Sequence, residues 1–212
     1  SSLTTNHTNS TYPGGFQVQC NGGNNGFINT TTSGGTPPYV RTWVKTNPPG
    51  VISATTANIS SLTAATYELI ITDQNGCIDN ELVILTEPDS ITSNLAVSSI
   101  VTCNGTTTGC LSTNVSGGVP PYNYVWSGPG SPFPSTPSIC NAGAGSYTVA
   151  ITDASGCSNP NLEHQIVLTQ PAVLTANAAI QTGILCNNQP TGAINLTVSG
   201  GSAPYTYTWT GP

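Results

Sequence analysis

Apolar and β-branched residues fall in short alternating runs along this chain, each bounded by Gly, Pro or Asn. In the middle of the chain the runs lie near residues 91–101, 110–116, 122–127, 146–152 and 164–169. Successive side chains of a strand point to opposite faces, so Tyr147, Val149 and Ile151 share one face. Tyr67, Leu69 and Ile71 repeat that arrangement upstream. Asp73-Gln74-Asn75-Gly76 and Asp153-Ala154-Ser155-Gly156 read as tight turns between the last two strands of each set. No segment shows the 3.6-residue period of a helix. The pattern predicts strands and turns throughout.

The runs recur at a fixed interval. Cys20, Cys103 and Cys186 are 83 residues apart, as are Trp43, Trp126 and Trp209. The pairs Gly34-Gly35, Gly117-Gly118 and Gly200-Gly201 keep the interval, and so do Pro88 and Pro171. A unit of this size suits a small β-sandwich with its own core better than one turn of a solenoid. The expected fold is therefore all-β, as tandem immunoglobulin- or fibronectin-like antiparallel sandwiches. Repeat one would span 1–88, with 1–15 either an arm or the end of a preceding repeat; repeat two would span 89–171. Residues 172–212 would be an incomplete third repeat, and the chain itself a processed product or a piece of something longer.

Composition narrows the function. Charged residues make up 5% of the chain, and the net charge is −6 with Arg41 and Lys45 the only basic residues. That excludes a phosphate-tracking surface, which needs clustered Lys and Arg, and a basic patch for anionic lipid. No apolar run is long enough to span a bilayer. Thr, Ser and Asn, at 33, 22 and 21 residues, supply the polar surface, and 23 Gly with 17 Pro supply turns. Three Trp, eight Tyr and many β-branched residues argue for a packed chain rather than a disordered one.

Candidate chemistry is sparse. Trp43, Trp126 and Trp209 end runs in which Tyr39/Arg41, Tyr122/Tyr124 and Tyr205/Tyr207 share the Trp face. Each Trp reads as a core anchor; an exposed platform stacking on sugar rings is the functional alternative. Arg41 stands where the other copies have Tyr, so its guanidinium needs a partner if that position is buried. Gly34-Gly35-Thr36-Pro37-Pro38 reads as the turn into this strand. Asp73 and Asp153 read as Asx-type turn residues; weak calcium binding there stays open, although the other ligands of an EF-hand are missing. No cofactor is expected otherwise. His7 and His164 are too few and too separate for a zinc site or a Ser-His-Asp arrangement. No Gly-rich phosphate loop links a strand to a helix. No enzymatic activity is expected.

Several motifs together resemble one family. Cys-Asn with a following Gly opens each repeat at Cys20, Cys103 and Cys186. Ser-Gly-Gly-x-Pro-Pro-Tyr-x-x-x-Trp runs from Ser33 and Ser116, and from Ser199 with Ala203 in place of the first proline. Thr-Asp-x-x-Gly-Cys ends at Cys77 and Cys157, and Leu-Thr-Glu/Gln-Pro at Pro88 and Pro171. These patterns resemble the SprB repeat of very large cell-surface proteins of Bacteroidota, and the likeness covers nearly all of residues 18–212. It implies a secreted, surface-anchored array exported by the type IX system, with a role in adhesion or gliding. Residues 44–62 and 127–140 depart from the pattern in length and content, and Cys110 and Cys140 are an extra pair.

An extracellular setting favours disulfides. The simplest assignment is Cys20–Cys77, Cys103–Cys157 and Cys110–Cys140, with Cys186 awaiting a partner beyond residue 212. Against it, the first-loop and last-turn cysteines of a fibronectin-like sandwich lie at opposite ends, far beyond the ~6 Å Cα spacing of a disulfide. An inter-repeat Cys20–Cys157 bond and free thiols therefore both stay open. Asn6, Asn9, Asn29, Asn58, Asn104, Asn114 and Asn195 head N-glycosylation sequons, which the bacterial resemblance sets aside. Asp89-Ser90-Ile91 resembles the O-glycosylation site of Bacteroidota, with Ser90 as acceptor. The expected function is a stalk segment that extends a binding region from a Gram-negative cell surface and resists load. Its partners would be further repeats of the same chain, with surface glycans or the secretion and motility machinery as others. The alternatives are a carbohydrate-binding array and accessory repeats of a secreted hydrolase.

Overall fold

From Ala65 to Ile71 every second residue is buried, and the alternation that marks a strand with one face in a core is complete there. The computed structural model describes residues 2–52, 54–158, 164–186 and 189–211. Residues 159–163 of the second repeat, the His164 side chain, and residues 187–188 after Cys186 lie outside the described residues. About 50% of the described residues are in strands. Among the described residues the only helical element is a 3-10 turn at Pro13–Gly15, and no helix is long and apolar enough to cross a membrane.

Seven strands come first: β1 (Thr4–Asn9), β2 (Gly26–Ser33), β3 (Val40–Asn47), β4 (Pro49–Val51), β5 (Asn58–Leu62), β6 (Ala65–Thr72) and β7 (Ile78–Leu85). They form two antiparallel sheets, β1-β2-β5 and β4-β3-β6-β7. Ile28, Ile59 and Leu62 from one sheet meet Trp43, Tyr67, Leu69, Val83 and Leu85 from the other in one core. Thr4–Asn9, within the stretch read as an arm or the end of a preceding repeat, pairs along β2 from Thr4↔Ser33 to Asn9↔Ile28. Its sequence, Thr-Thr-Asn-His-Thr-Asn, has no apolar alternation to announce a strand; what holds it is the backbone ladder on a neighbour whose other face is buried.

The same plan returns in β8 (Thr92–Ser99), β9 (Gly109–Ser116), β10 (Asn123–Ser127), β11 (Ser138–Ala142), β12 (Gly145–Thr152) and β13 (His164–Leu168), arranged as β8-β9-β11 and β10-β12-β13. Leu111, Ile139 and Ala142 are buried from the first sheet, and Trp126, Tyr147, Val149 and Leu168 from the second. The fold is an antiparallel β-sandwich, repeated. β11 escapes the alternation rule because a bulge at Asn141, with φ 58°, breaks the register between Ile139 and Ala142. Last come β14 (Thr175–Thr182) and β15 (Ala193–Ser199), which pair with each other. Ile194 there is 59% exposed, whereas its equivalent Leu111 is fully buried.

By packing, the chain divides into two units. One holds residues 1–93 with 115–123 and 151–162; the other holds 94–114, 124–150 and 163–212. Two loops of the second sequence repeat thus belong to the first unit.

Equivalent residues make equivalent bonds. The hydroxyl pair Thr4–Ser33 recurs as Thr92–Ser116 and Thr175–Ser199, at 2.8, 2.7 and 2.8 Å. Trp43 Nε1 donates to the Thr56 carbonyl at 3.0 Å, and Trp126 Nε1 to the Thr136 carbonyl at 2.9 Å. The Tyr67 and Tyr147 hydroxyls donate four residues back, to Thr63 and Gly143, as a tyrosine corner does. Burial pushes the Tyr147 phenol above its ordinary pKa.

The Gly-Gly turn is sterically obligatory. Gly117 has φ 76°, and a Cβ there would sit 2.0 Å from the Ser90 carbonyl oxygen; at Gly200 the same atom would be 1.9 Å from that of Val173. A left-handed conformation alone costs an L-residue about 1–2 kcal/mol. Gly117→Ala should therefore lower the melting temperature of the 1–212 chain, while Gly76→Ala, with nothing near its Cβ, should lower it by less. Equal melting shifts would disprove the steric reading.

Candidate functional site at the stapled loop and turn

The turn after β12 is built around one carboxylate. Asp153 Oδ1 accepts the N–H groups of Ser155 and Cys157 at 2.9 and 2.8 Å, and Oδ2 accepts that of Val119 at 2.8 Å. The Ala154 N–H returns to the Val119 carbonyl. One side chain thus fixes its own turn and ties it to the Gly-Gly loop. Asp73 does the same with Asn75, Cys77 and Thr36. Both aspartates act here as Asx-type turn residues, their oxygens turned to backbone donors.

The N–H groups of Cys77 and Thr36, with that of Asn75, hold the Asp73 carboxyl below its ordinary pKa of 3.8. A depressed folded pKa means stability that is present above the unfolded value and lost as pH falls through the folded one. Thermal melts should therefore show an acid limb below about pH 4. Asp73→Asn should flatten that limb, and an unchanged limb would contradict the role given to this carboxylate.

Opposite the Asp153 turn lies the loop before β2. Cys20 and Cys157 are disulfide-bonded with their Cα atoms 5.7 Å apart, and Gln19 Nε2 donates to the Ser155 carbonyl at 2.7 Å. The loop is braced internally by Gln19 and Asn25, through Gln19 N–H to Asn25 Oδ1 and Asn25 Nδ2 to Gln19 Oε1. It is anchored to the exit of the first repeat by Asn21 Nδ2 to the Pro88 carbonyl, 3.0 Å, and by the Gly22 N–H to Glu87 Oε2, 2.9 Å. The second copy of the loop has the same anchors: Asn104 Nδ2 to the Pro171 carbonyl, 2.9 Å, and the Gly105 N–H to Gln170 Oε1, 2.8 Å.

The pairing differs from the simplest assignment. Cys20 bonds Cys157 and not Cys77, and Cys103 is therefore not bonded to Cys157. The reason is the length of β7. Val18 hydrogen-bonds the Thr86 carbonyl just beyond the far end of that strand, while Cys77 stands at its start. Eight residues of strand, at roughly 3.3 Å each, hold the two cysteines apart by about 25 Å, against the ~6 Å a disulfide spans. Cys110 and Cys140 are bonded across β9 and β11. Cys77, Cys103 and Cys186 are exposed and unbonded.

The other singled-out residues fall outside this junction or beside it. Trp43 and Trp126 are 2% and 4% exposed, so neither presents a ring to a ligand; Trp209 is 59% exposed. Arg41 stacks over Tyr39 at 5.5 Å and donates to Thr32 Oγ1. His7 lies in β1 and pairs with Glu81 of β7. Ser90 is exposed in the segment between β7 and β8. Sequence reasoning missed Gln19, Asn21 and Asn104 as junction residues, and it reads Glu87-Pro88-Asp89 and Gln170-Pro171-Ala172 as short junctions that limit bending without the bonds that Glu87 and Gln170 make to the loops. Apart from Gln19, whose equivalents are Thr102 and Leu185, their signal was recurrence, since Asn21 and Asn104 follow their cysteines and Glu87 and Gln170 precede the repeated proline.

The family model described as the SprB repeat matches residues 17–44, 96–131 and 178–212. No curated protein matches the chain. Among solved structures, the chain is similar to the three N-terminal domains of the bacteriophage RB49 Highly Immunogenic Outer Capsid protein (Hoc), at 14% identity and a TM-score of 0.43 over 94% of this chain and 70% of that one.

Proposed function

The chain is a run of SprB-type repeats, and from that premise we propose that it is a stalk segment of a secreted, surface-exposed adhesin. It extends a binding region from a Gram-negative cell and carries load during adhesion or gliding. The observation that carries this reading is the bond from Cys20 to Cys157, which joins the first loop of one sequence repeat to the last turn of the next. Such a bond strengthens a series of sandwiches.

The aromatic residues support the same reading against a sugar-binding array. Trp43 and Trp126 are buried, and their indole N–H groups are engaged by backbone carbonyls. The repeat boundaries belong to the proposal: 1–88, 89–171 and an incomplete copy from 172, exported by the type IX system and meeting further repeats of the same chain. Ser90 is the proposed O-glycan acceptor. Two measurements test the reading. Antibodies against residues 1–212 should label intact cells, and the 1–212 chain should bind no sugar on a glycan array. Sugar binding that Trp43→Phe or Trp126→Phe abolishes in a folded chain would replace the stalk with a carbohydrate-binding array.

A further inference from the structure

Each sequence repeat carries a cysteine in its first loop, at Cys20, Cys103 and Cys186, and the two repeats that reach their last turn carry another there, at Cys77 and Cys157. Of these five only Cys20 and Cys157 are joined. The bond has a direction: first loop of one repeat to last turn of the repeat that follows. We propose that it is one rung of a covalent ladder running along the array. The Cys103 loop is then a docking surface for the Thr-Asp-x-x-Gly-Cys turn of the next repeat. Cys186 serves the repeat after that, and Cys77 takes the first-loop cysteine of a repeat on its N-terminal side.

Burial separates occupied from vacant positions. In the docked turn, Ser155 and Cys157 are 8% and 7% exposed. In the undocked equivalent, Asn75 and Cys77 are exposed, although Asp73 holds that turn with the same three kinds of bond as Asp153. On the other side of the rung, Cys20 is half-buried and Cys103 exposed. The vacant loop is nonetheless held as the occupied one is, by Asn104 on the Pro171 carbonyl and by the Gly105 N–H on Gln170. Both halves are preformed and lack only each other. Pairing inside the first repeat is closed by the length of β7, and in the second repeat Cys157 is already joined to Cys20. Each rung forms as two thiols join, their two electrons and two protons passing to a disulfide oxidant that is reduced to its dithiol. The ladder goes beyond the stalk reading, since it holds whatever the array carries at its end.

The test is a chain of residues 1–171 followed by a second copy of residues 89–171, so that the third repeat brings its own last turn. It is refolded in glutathione redox buffer, alkylated and peptide-mapped without reduction. The expected map joins Cys103 to the appended copy of Cys157, beside Cys20–Cys157 and the Cys110–Cys140 bonds. Cys103→Ser should leave the appended Cys157 alkylated and Cys20–Cys157 intact. Cys103 recovered alkylated while Cys20–Cys157 has formed would overturn the ladder. So would Cys103 joined to any other cysteine, or Cys20 joined to Cys77.

Discussion

Trp126→Ala should cost the second sandwich about 3–5 kcal/mol, as removal of a buried Trp typically does, out of the ~5–15 kcal/mol that stabilises a domain. Trp126 is 4% exposed, and its indole N–H donates to the Thr136 carbonyl, so truncation leaves both a cavity and a polar group without its donor. Trp43→Ala should act likewise on the first sandwich through Thr56. Trp209→Ala is the control: its ring is 59% exposed, and substitution there should move stability by no more than about 0.5 kcal/mol. Denaturant melts of the three variants in the 1–212 chain, followed by fluorescence and far-ultraviolet dichroism, read the differences directly. Equal effects at Trp126 and Trp209 would refute the assignment of the Trp as a core strut.

Pulled from its two ends, the oxidised chain should withhold most of its length. The Cys20–Cys157 bond closes a loop with a sequence separation of 137, so tension bypasses both complete sandwiches once either end has frayed to the bond. Cys20→Ser with Cys157→Ser should release about 350–390 Å of extra contour length, at roughly 3.3–3.6 Å per extended residue, because the Cys110–Cys140 bond, with a separation of 30, still withholds its own loop. The same pair of substitutions should lower stability by about 2–5 kcal/mol, the usual effect of losing a native disulfide. Single-molecule force spectroscopy reads the first effect and chemical denaturation the second. A wild-type oxidised chain that already yields its full contour length would sink the load-bearing role of this bond.

The sequence by itself determined the class of fold, the repeat and the family likeness, because each rests on local or periodic information. Alternation placed Tyr67, Leu69, Ile71, Tyr147, Val149 and Ile151 on core faces, and all six are buried. The 83-residue interval aligned Trp43 with Trp126, whose indoles make the same bond. Where alternation failed, so did the reading: β1 is polar throughout, and β11 is broken by a bulge. The cysteine pairing could not be read from spacing, since sequence order says which cysteines share a repeat and nothing about which ends of the sandwiches they occupy. Tertiary structure decided it. β7 carries Cys77 away from Cys20, while the chain's passage through Pro88 into the second repeat brings the Asp153 turn to the Cys20 loop. A disulfide needs its Cα atoms within about 6 Å, and only the arrangement of whole strands in space sets which pair meets that condition.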